Sequence, residues 1–257
     1  ISKTWQQRFV FQMTLITKRQ PALPVRFFIF LNSLLCFNER ECVIRDLILF
    51  AFFFLLRSCE YSETPNKEKK RTKLLELRDI TFIVAGREYP WNGNIDNANE
   101  VLVTFRNQKN GQKMETISQS KTDLDLCPCK TTIRLVKRLR KYKDTTGSTQ
   151  INTFHHKGKI GLVRNTNITN KLKSTVKTMG KEDLGIESHE VGTHSLRASF
   201  ALMMALMNIP DSKIMILGQW KSEAFKKYIQ RQIIRVRDTT AFKALRSITS
   251  NFRIKMR

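Results

Sequence analysis

The sequence predicts a mostly α chain carrying a small antiparallel β-sheet (α+β). Three observations predict it. Apolar residues recur at helical spacing over residues 25–37, 43–57, 131–143, 168–179 and 194–207. Ile80–Val84 and Glu100–Arg106 read as strands, the second with Val101, Val103 and Phe105 alternating onto one face. An Asn-Gly turn signal in Asn107–Gly111 then lets Gln112–Gln119 return as a third strand, giving a hairpin.

Taken in order, residues 1–20 are polar and basic, and Pro21 and Pro24 punctuate the chain, so a linker is expected to end where a domain begins. Residues 25–37 form the first helix. The most apolar run, Leu47–Leu56, is too short to cross a bilayer and is bracketed by Arg45, Asp46 and Arg57, so residues 43–57 read as a buried core helix. Residues 66–73 read as a charged turn or loop. Thr131–Lys143 is a basic amphipathic helix with Ile133, Val136 and Leu139 on one side; Arg134, Lys137, Arg138, Arg140, Lys141 and Lys143 surround them. That basic run is either a solvated face or a phosphate-facing one. Residues 144–166 read as loop. Helices follow at 168–179, at His194–Met207, after Pro210-Asp211, and from Ser222 to about Val236. Asp211 and Ser222 sit as N-caps, and Gly218 as a C-terminal stop.

Charge narrows the partners. The 257 residues include 46 Lys and Arg against 22 Asp and Glu, a formal charge of +24. So strong a self-repulsion predicts a nucleic-acid partner, DNA or RNA, and binding that weakens with salt. No aromatic-rich single-strand motif of the RRM kind supports RNA. Five cysteines (Cys36, Cys42, Cys59, Cys127 and Cys129) follow no framework spacing, and Cys127-Pro128-Cys129 lacks a second pair. A zinc site is therefore not expected, and reduced thiols in an intracellular protein are. Asn167-Ile168-Thr169 fits a glycosylation acceptor with nothing else to support secretion. No signal peptide or membrane span is visible, and the start at Ile1 is read as that of a fragment or trimmed domain.

Six residues carry candidate chemistry, each with a plainer reading beside it. His194 and Arg197 lie three apart on one helix, off its Leu196, Phe200, Met203 and Met207 stripe, so they are a surface pair or an anion-binding pair. Arg57 follows the apolar run and is either a C-terminal capping residue or a guanidinium at the core's edge, held by Glu60 if the helix continues one turn. Lys109, on the hairpin tip, is solvated unless the hairpin delivers it into a DNA-filled cleft. Trp220 offers only a donor, its indole N–H, which suits a phosphate oxygen. Tyr228 borders a stripe of Phe225, Ile229, Ile233 and Val236, and is otherwise a half-buried packing residue.

Together, Leu55–Glu63, the lysine hairpin, His194–Ala201 and Leu217–Ile229 resemble, in this order, the catalytic domain of tyrosine recombinases, the phage integrase superfamily. The resemblance covers about residues 21–240. Its subfamily flavour, from the tryptophan and the AFKKYI context, is that of eukaryotic mobile elements such as Crypton or retrotransposon types. Two features depart from the family: Phe54-Leu55-Leu56 stands where Thr-Gly-Leu is common, and Trp220 to Tyr228 is one residue shorter than the usual histidine-to-tyrosine spacing.

What the resemblance implies is specific. Residues 1–20 would be a linker or a remnant of an amino-terminal core-binding domain, and 21–257 the catalytic domain. Tyr228 would attack the scissile phosphate, leaving a 3′-phosphotyrosyl bond and a free 5′-hydroxyl. Arg57 and Arg197 would fork onto the non-bridging oxygens. His194 would be the base or a hydrogen-bonding partner, and Lys109 would protonate the leaving oxygen. No cofactor or metal is called for. A double-stranded DNA partner, and self-association on it as a dimer or tetramer, are implied, with nuclear location if the source is eukaryotic. Type IB topoisomerases and telomere resolvases share such a site. A protein derived from a mobile element that binds DNA without cutting it is the non-catalytic alternative.

Overall fold

The computed structural model describes residues 20–64, 72–106, 114–220, 222 and 226. Its helices are α1 (Val25–Ser33), α2 (Glu39–Phe53), α3 (Ser58–Tyr61), α4 (Pro128–Arg140), α5 (Asn165–Met179), α6 (Lys181–Leu184), α7 (Thr193–Leu206) and α8 (Asp211–Leu217). A four-stranded antiparallel sheet has the order β2 (Arg87–Pro90), β1 (Ile80–Val84), β3 (Glu100–Phe105), β4 (Glu115–Ser120). A separate hairpin pairs β5 (Thr153–His156) with β6 (Lys159–Leu162). The class is the expected one, helical with a small antiparallel sheet.

Helix α2 is the axis of the core. Asn38 Oδ1 accepts the Glu41 amide at 2.9 Å and starts it, with Glu39 and Glu41 in the favourable first turn. From Leu47 to Phe52 every residue is buried, so the helix has no solvent face there. It is enclosed by α4, α5, α7 and β5. Phe52 stacks on Phe28 of α1 at 3.8 Å and meets Phe200 of α7 edge-on at 5.0 Å. Each such ring contributes about 2–3 kcal/mol by leaving water. Just before that stretch the buried carboxylate of Asp46 accepts from Arg45 at 3.1 Å and from Arg134 of α4 at 3.1 and 3.2 Å. No helix among the described residues is long and apolar enough to cross a membrane.

Several boundaries differ from the sequence reading. The first helix stops at Ser33 because Asn38 caps the next one, and Leu35 and Phe37 are left exposed in between. Helix α4 begins at Pro128, whose fixed φ suits a first helical position, and ends at Arg140. The expected 144–166 loop holds the β5–β6 hairpin, and β2 joins the main sheet as an edge strand. Both turn on two residues of positive φ, Ala85-Gly86 (49° and 77°) and Lys157-Gly158 (49° and 74°). Neither is the Asn-Gly pair that advertises such a turn. On α7, Met203 and Met207 are only half-buried, whereas Ser195 and Ser199 are buried. Ser199 Oγ donates to Ser195 O at 2.5 Å and accepts the Leu23 amide at 2.7 Å, so the chain leading into α1 covers that polar side.

Candidate active site

Arg57 stands where the buried helix breaks. Leu55 adopts φ 48°, and the Leu56 amide turns back to Ala51 O at 3.0 Å. Arg57 is then extended and caps α3 rather than ending α2. Glu60, one turn on, accepts the Arg57 amide at 2.7 Å through Oε2 and Nη1 at 3.0 Å through Oε1. The expected Arg57–Glu60 pairing is present, but on a restarted turn. Glu60 is 1% exposed. Burial carries its carboxyl above the ordinary value, against the pull of Arg57 and of Arg197.

The turn after α8 reaches both arginines. Gln219 is buried and holds φ 53°, a left-handed conformation that costs a non-glycine residue about 1 kcal/mol or more. Arg57 Nη1 donates to Gln219 Oε1 at 2.8 Å, and Nη2 donates to Gln219 O at 3.0 Å. Trp220 places its ring under the Arg197 guanidinium, with Cζ 4.3 Å from the ring centroid. Gly218 is the helix C-cap, as expected, yet its φ is an ordinary −87°. Its need for hydrogen is steric, since a Cβ there would lie 1.7 Å from indole Cζ3. Asp211 is the first helical residue; Pro210 occupies the cap.

His194 sits on the first turn of α7, exposed, with Arg197 half-buried one turn on. Its amide donates to Gln20 Oε1 at 2.9 Å, and Gly192 leaves room for that Gln20 amide. Arg57, Arg197 and Trp220, far apart along the chain, are thus gathered around Glu60 and Gln219. Lys109 and Tyr228 lie outside the described residues, as does most of the expected 222–236 helix. Lys226, two positions before Tyr228, has its ammonium 3.0 Å from Asp211 of α8.

Two of the other three tyrosines have their phenols engaged elsewhere. Tyr61 is fully buried, and burial drives its phenol well above the ordinary value. The Tyr142 hydroxyl donates to Glu39 and is pushed up to about 12, by burial first and then by that bond. Tyr89 lies on the edge strand, paired with Phe82.

The basic helix α4 does not offer a single phosphate-facing row. Arg138 is a correction: it is 9% exposed, and its Nη1 donates to Glu39 Oε1 at 3.1 Å and Thr153 O at 2.7 Å. Arg134 is turned inward onto Asp46 and Asn32. Lys137, Arg140 and Lys141 are exposed, Lys137 against Asp96 and Arg140 against Asn92 O. Among the described residues no group of three or more His, Cys, Asp or Glu could hold a metal ion.

Among the described residues two guanidinium groups act on one buried carboxylate at a partly open edge, a setting that suits an anion with several oxygens. No protein-family model matches the chain, and no curated protein sequence matches it. Among solved structures, the XerH site-specific recombinase, bound to its difH substrate in a pre-cleavage complex, aligns with a TM-score of 0.54 at 12% identity. The alignment covers 87% of this chain and 56% of XerH. The fold is that of a tyrosine recombinase catalytic domain. The Tn1549 transposon integrase, in complex with transposon right end DNA, aligns with a TM-score of 0.45 at 12% identity, over 92% of this chain and 66% of that one. In complex with circular intermediate DNA the same integrase gives 0.45 and 12%, over 87% and 66%. The chain spans little more than half the length of XerH. Gln219 is the residue at this site that the sequence reading did not single out; no pattern marks a glutamine that adopts positive φ. Glu60 was visible because it lies one helical turn from Arg57.

Proposed function

We propose that this chain breaks and rejoins DNA strands through a covalent 3′-phosphotyrosyl intermediate, as a site-specific recombinase or integrase. Tyr228 is the nucleophile. Arg57 and Arg197 hold the non-bridging oxygens of the scissile phosphate and stabilise its pentavalent charge, an effect worth several kcal/mol in preorganised sites. Trp220 donates its indole N–H to a phosphate oxygen while its ring lies against Arg197. His194 serves as base or hydrogen-bonding partner, and Lys109 as the acid for the leaving 5′-oxygen. The phosphotyrosyl bond conserves the energy needed for resealing, so neither ATP nor a metal enters the scheme.

The observation that carries this reading is the convergence of Arg57, Arg197 and Trp220 around buried Glu60, on a fold shared with XerH. The engagement of Tyr61 and Tyr142 elsewhere supports Tyr228 as the phenol available for attack. Residues 21–257 would form the catalytic domain, and residues 1–20 the link to a core-binding domain. A eukaryotic mobile element as source, with nuclear location and assembly as a dimer or tetramer on DNA, completes the proposal.

The test is capture of covalent adducts from a library of nicked suicide duplexes with randomised sequence, resolved by denaturing electrophoresis. Wild type should retain label and Tyr228→Phe should not. An adduct of equal yield with Tyr228→Phe would reject this nucleophile. Products then separate strand exchange from relaxation or hairpin formation.

A further inference from the structure

We infer that Gln219 is a positioning residue that fixes which edge of the Arg57 guanidinium faces the phosphate. The inference rests on Arg57 being a phosphate ligand. A guanidinium has five N–H groups. Glu60 Oε1 and Gln219 Oε1 take the two on Nη1, and Gln219 O takes one on Nη2. Among the described residues that leaves Nε–H and one Nη2–H, a two-donor set of the kind that matches two oxygens of a phosphate.

The arrangement places Gln219 behind the arginine and not in the ligand's place. Gln219 is 8% exposed and Glu60 1%, while the Arg57 side chain keeps 17% exposure. Both oxygens of Gln219 therefore lie on the inner side of the guanidinium. Its backbone is pinned too: the amides of 218, 219 and 220 donate to Ile214, Ile216 and Met215 carbonyls at 2.9, 3.0 and 2.9 Å. Left-handed φ at 219 is what turns the main-chain and side-chain oxygens of one residue onto the same arginine. The neutral amide also matters. It supplies an acceptor without adding a second negative charge beside Glu60, which would cancel the site's attraction for an anion.

The decisive probe is inorganic tungstate, an oxyanion, titrated calorimetrically into the full chain as wild type, Gln219→Gly, Gln219→Glu, Arg57→Ala and the Arg57→Ala/Gln219→Gly double variant. Glycine keeps the main-chain acceptor and tolerates the positive φ, so Gln219→Gly should melt within about 4 °C of wild type. It should bind tungstate about tenfold more weakly, the effect of one hydrogen bond to a charged group. Gln219→Glu should bind more weakly still, and the double variant no more weakly than Arg57→Ala. If Gln219→Gly fails to fold, Gln219→Asn, which accepts the same φ but falls one methylene short of Nη1, should show the same weakening. Tungstate binding that is absent in wild type, unchanged or tighter in Gln219→Gly, or lost additively in the double variant overturns the inference. Weakening through Arg57 without any DNA adduct in wild type would uphold the positioning role while rejecting the strand-transfer reading.

Discussion

The Trp220 indole lies against the Arg197 guanidinium at 4.3 Å and fills the space that Gly218 leaves by having no side chain. One turn, residues 218–220, therefore touches both arginines, Arg57 through Gln219 and Arg197 through Trp220. The ordering of two cations is tied to the end of a single short helix.

Gly218→Ala should evict the indole. A methyl 1.7 Å from Cζ3 forces Trp220 to move, at about 1–3 kcal/mol. The melting temperature should fall by roughly 2–4 °C per kcal/mol for a chain of this size. Because the backbone at Gly218 is ordinary, Gly218→Ala/Trp220→Ala should cost little more than Trp220→Ala alone. Additive losses in calorimetry would contradict the steric account.

Glu60→Gln should flatten a specific part of the pH profile. The folded-state pKa of Glu60 is raised from 4.5, by burial first. The folded state thus holds its proton more tightly than the unfolded one. Its contribution to stability is complete below about pH 4.5 and is lost as pH rises through the folded value. Urea unfolding from pH 4 upward should show wild type losing stability relative to the glutamine variant over that window. Parallel curves would show that the carboxyl does not titrate abnormally.

Glu39→Gln should destabilise the fold without touching the site. Burial alone would raise the Glu39 pKa. Bonds from the Tyr142 hydroxyl, the His155 amide and Arg138 carry it below the ordinary 4.5 instead. Its stabilisation is present above pH 4.5 and is lost as pH falls through the lowered value. Removing the charge leaves Arg138 buried against a neutral amide, at a cost of about 3 kcal/mol near neutral pH. Chemical denaturation at pH 7 measures it, and a loss under 1 kcal/mol would contradict the network's importance.

Helix α4 should separate into two kinds of cation. Lys141→Ala, exposed, should lower the salt slope of DNA binding by about one while leaving the melting temperature unchanged. Arg138→Ala should do the reverse. Filter binding over a range of salt, with melting curves alongside, distinguishes them; a reduced slope in Arg138→Ala would return that residue to the DNA surface.

Much of this architecture could be read from residue pattern. The run Leu47–Leu56 announced a helix without a wet face, and Val101, Val103 and Phe105 announced a half-buried strand, because burial imposes those periodicities directly. The pairing of Arg57 with Glu60 was legible as a local spacing. The two overlooked hairpin arms were not, since Ala85-Gly86 and Lys157-Gly158 resemble ordinary sequence. Nor was the inward turn of Arg138, which depends on Glu39 nearly a hundred residues away. Gln219 was invisible for the same reason: its partner is 162 positions distant.

The most direct measurement is mass spectrometry of the protease-digested DNA adduct. The account predicts one modified peptide, containing residues 227–230, with a nucleotide 3′-phosphate on the Tyr228 oxygen, and none from Arg57→Ala or Arg197→Ala. A nucleotide attached to any other residue, or adducts that survive removal of both arginines, would contradict it.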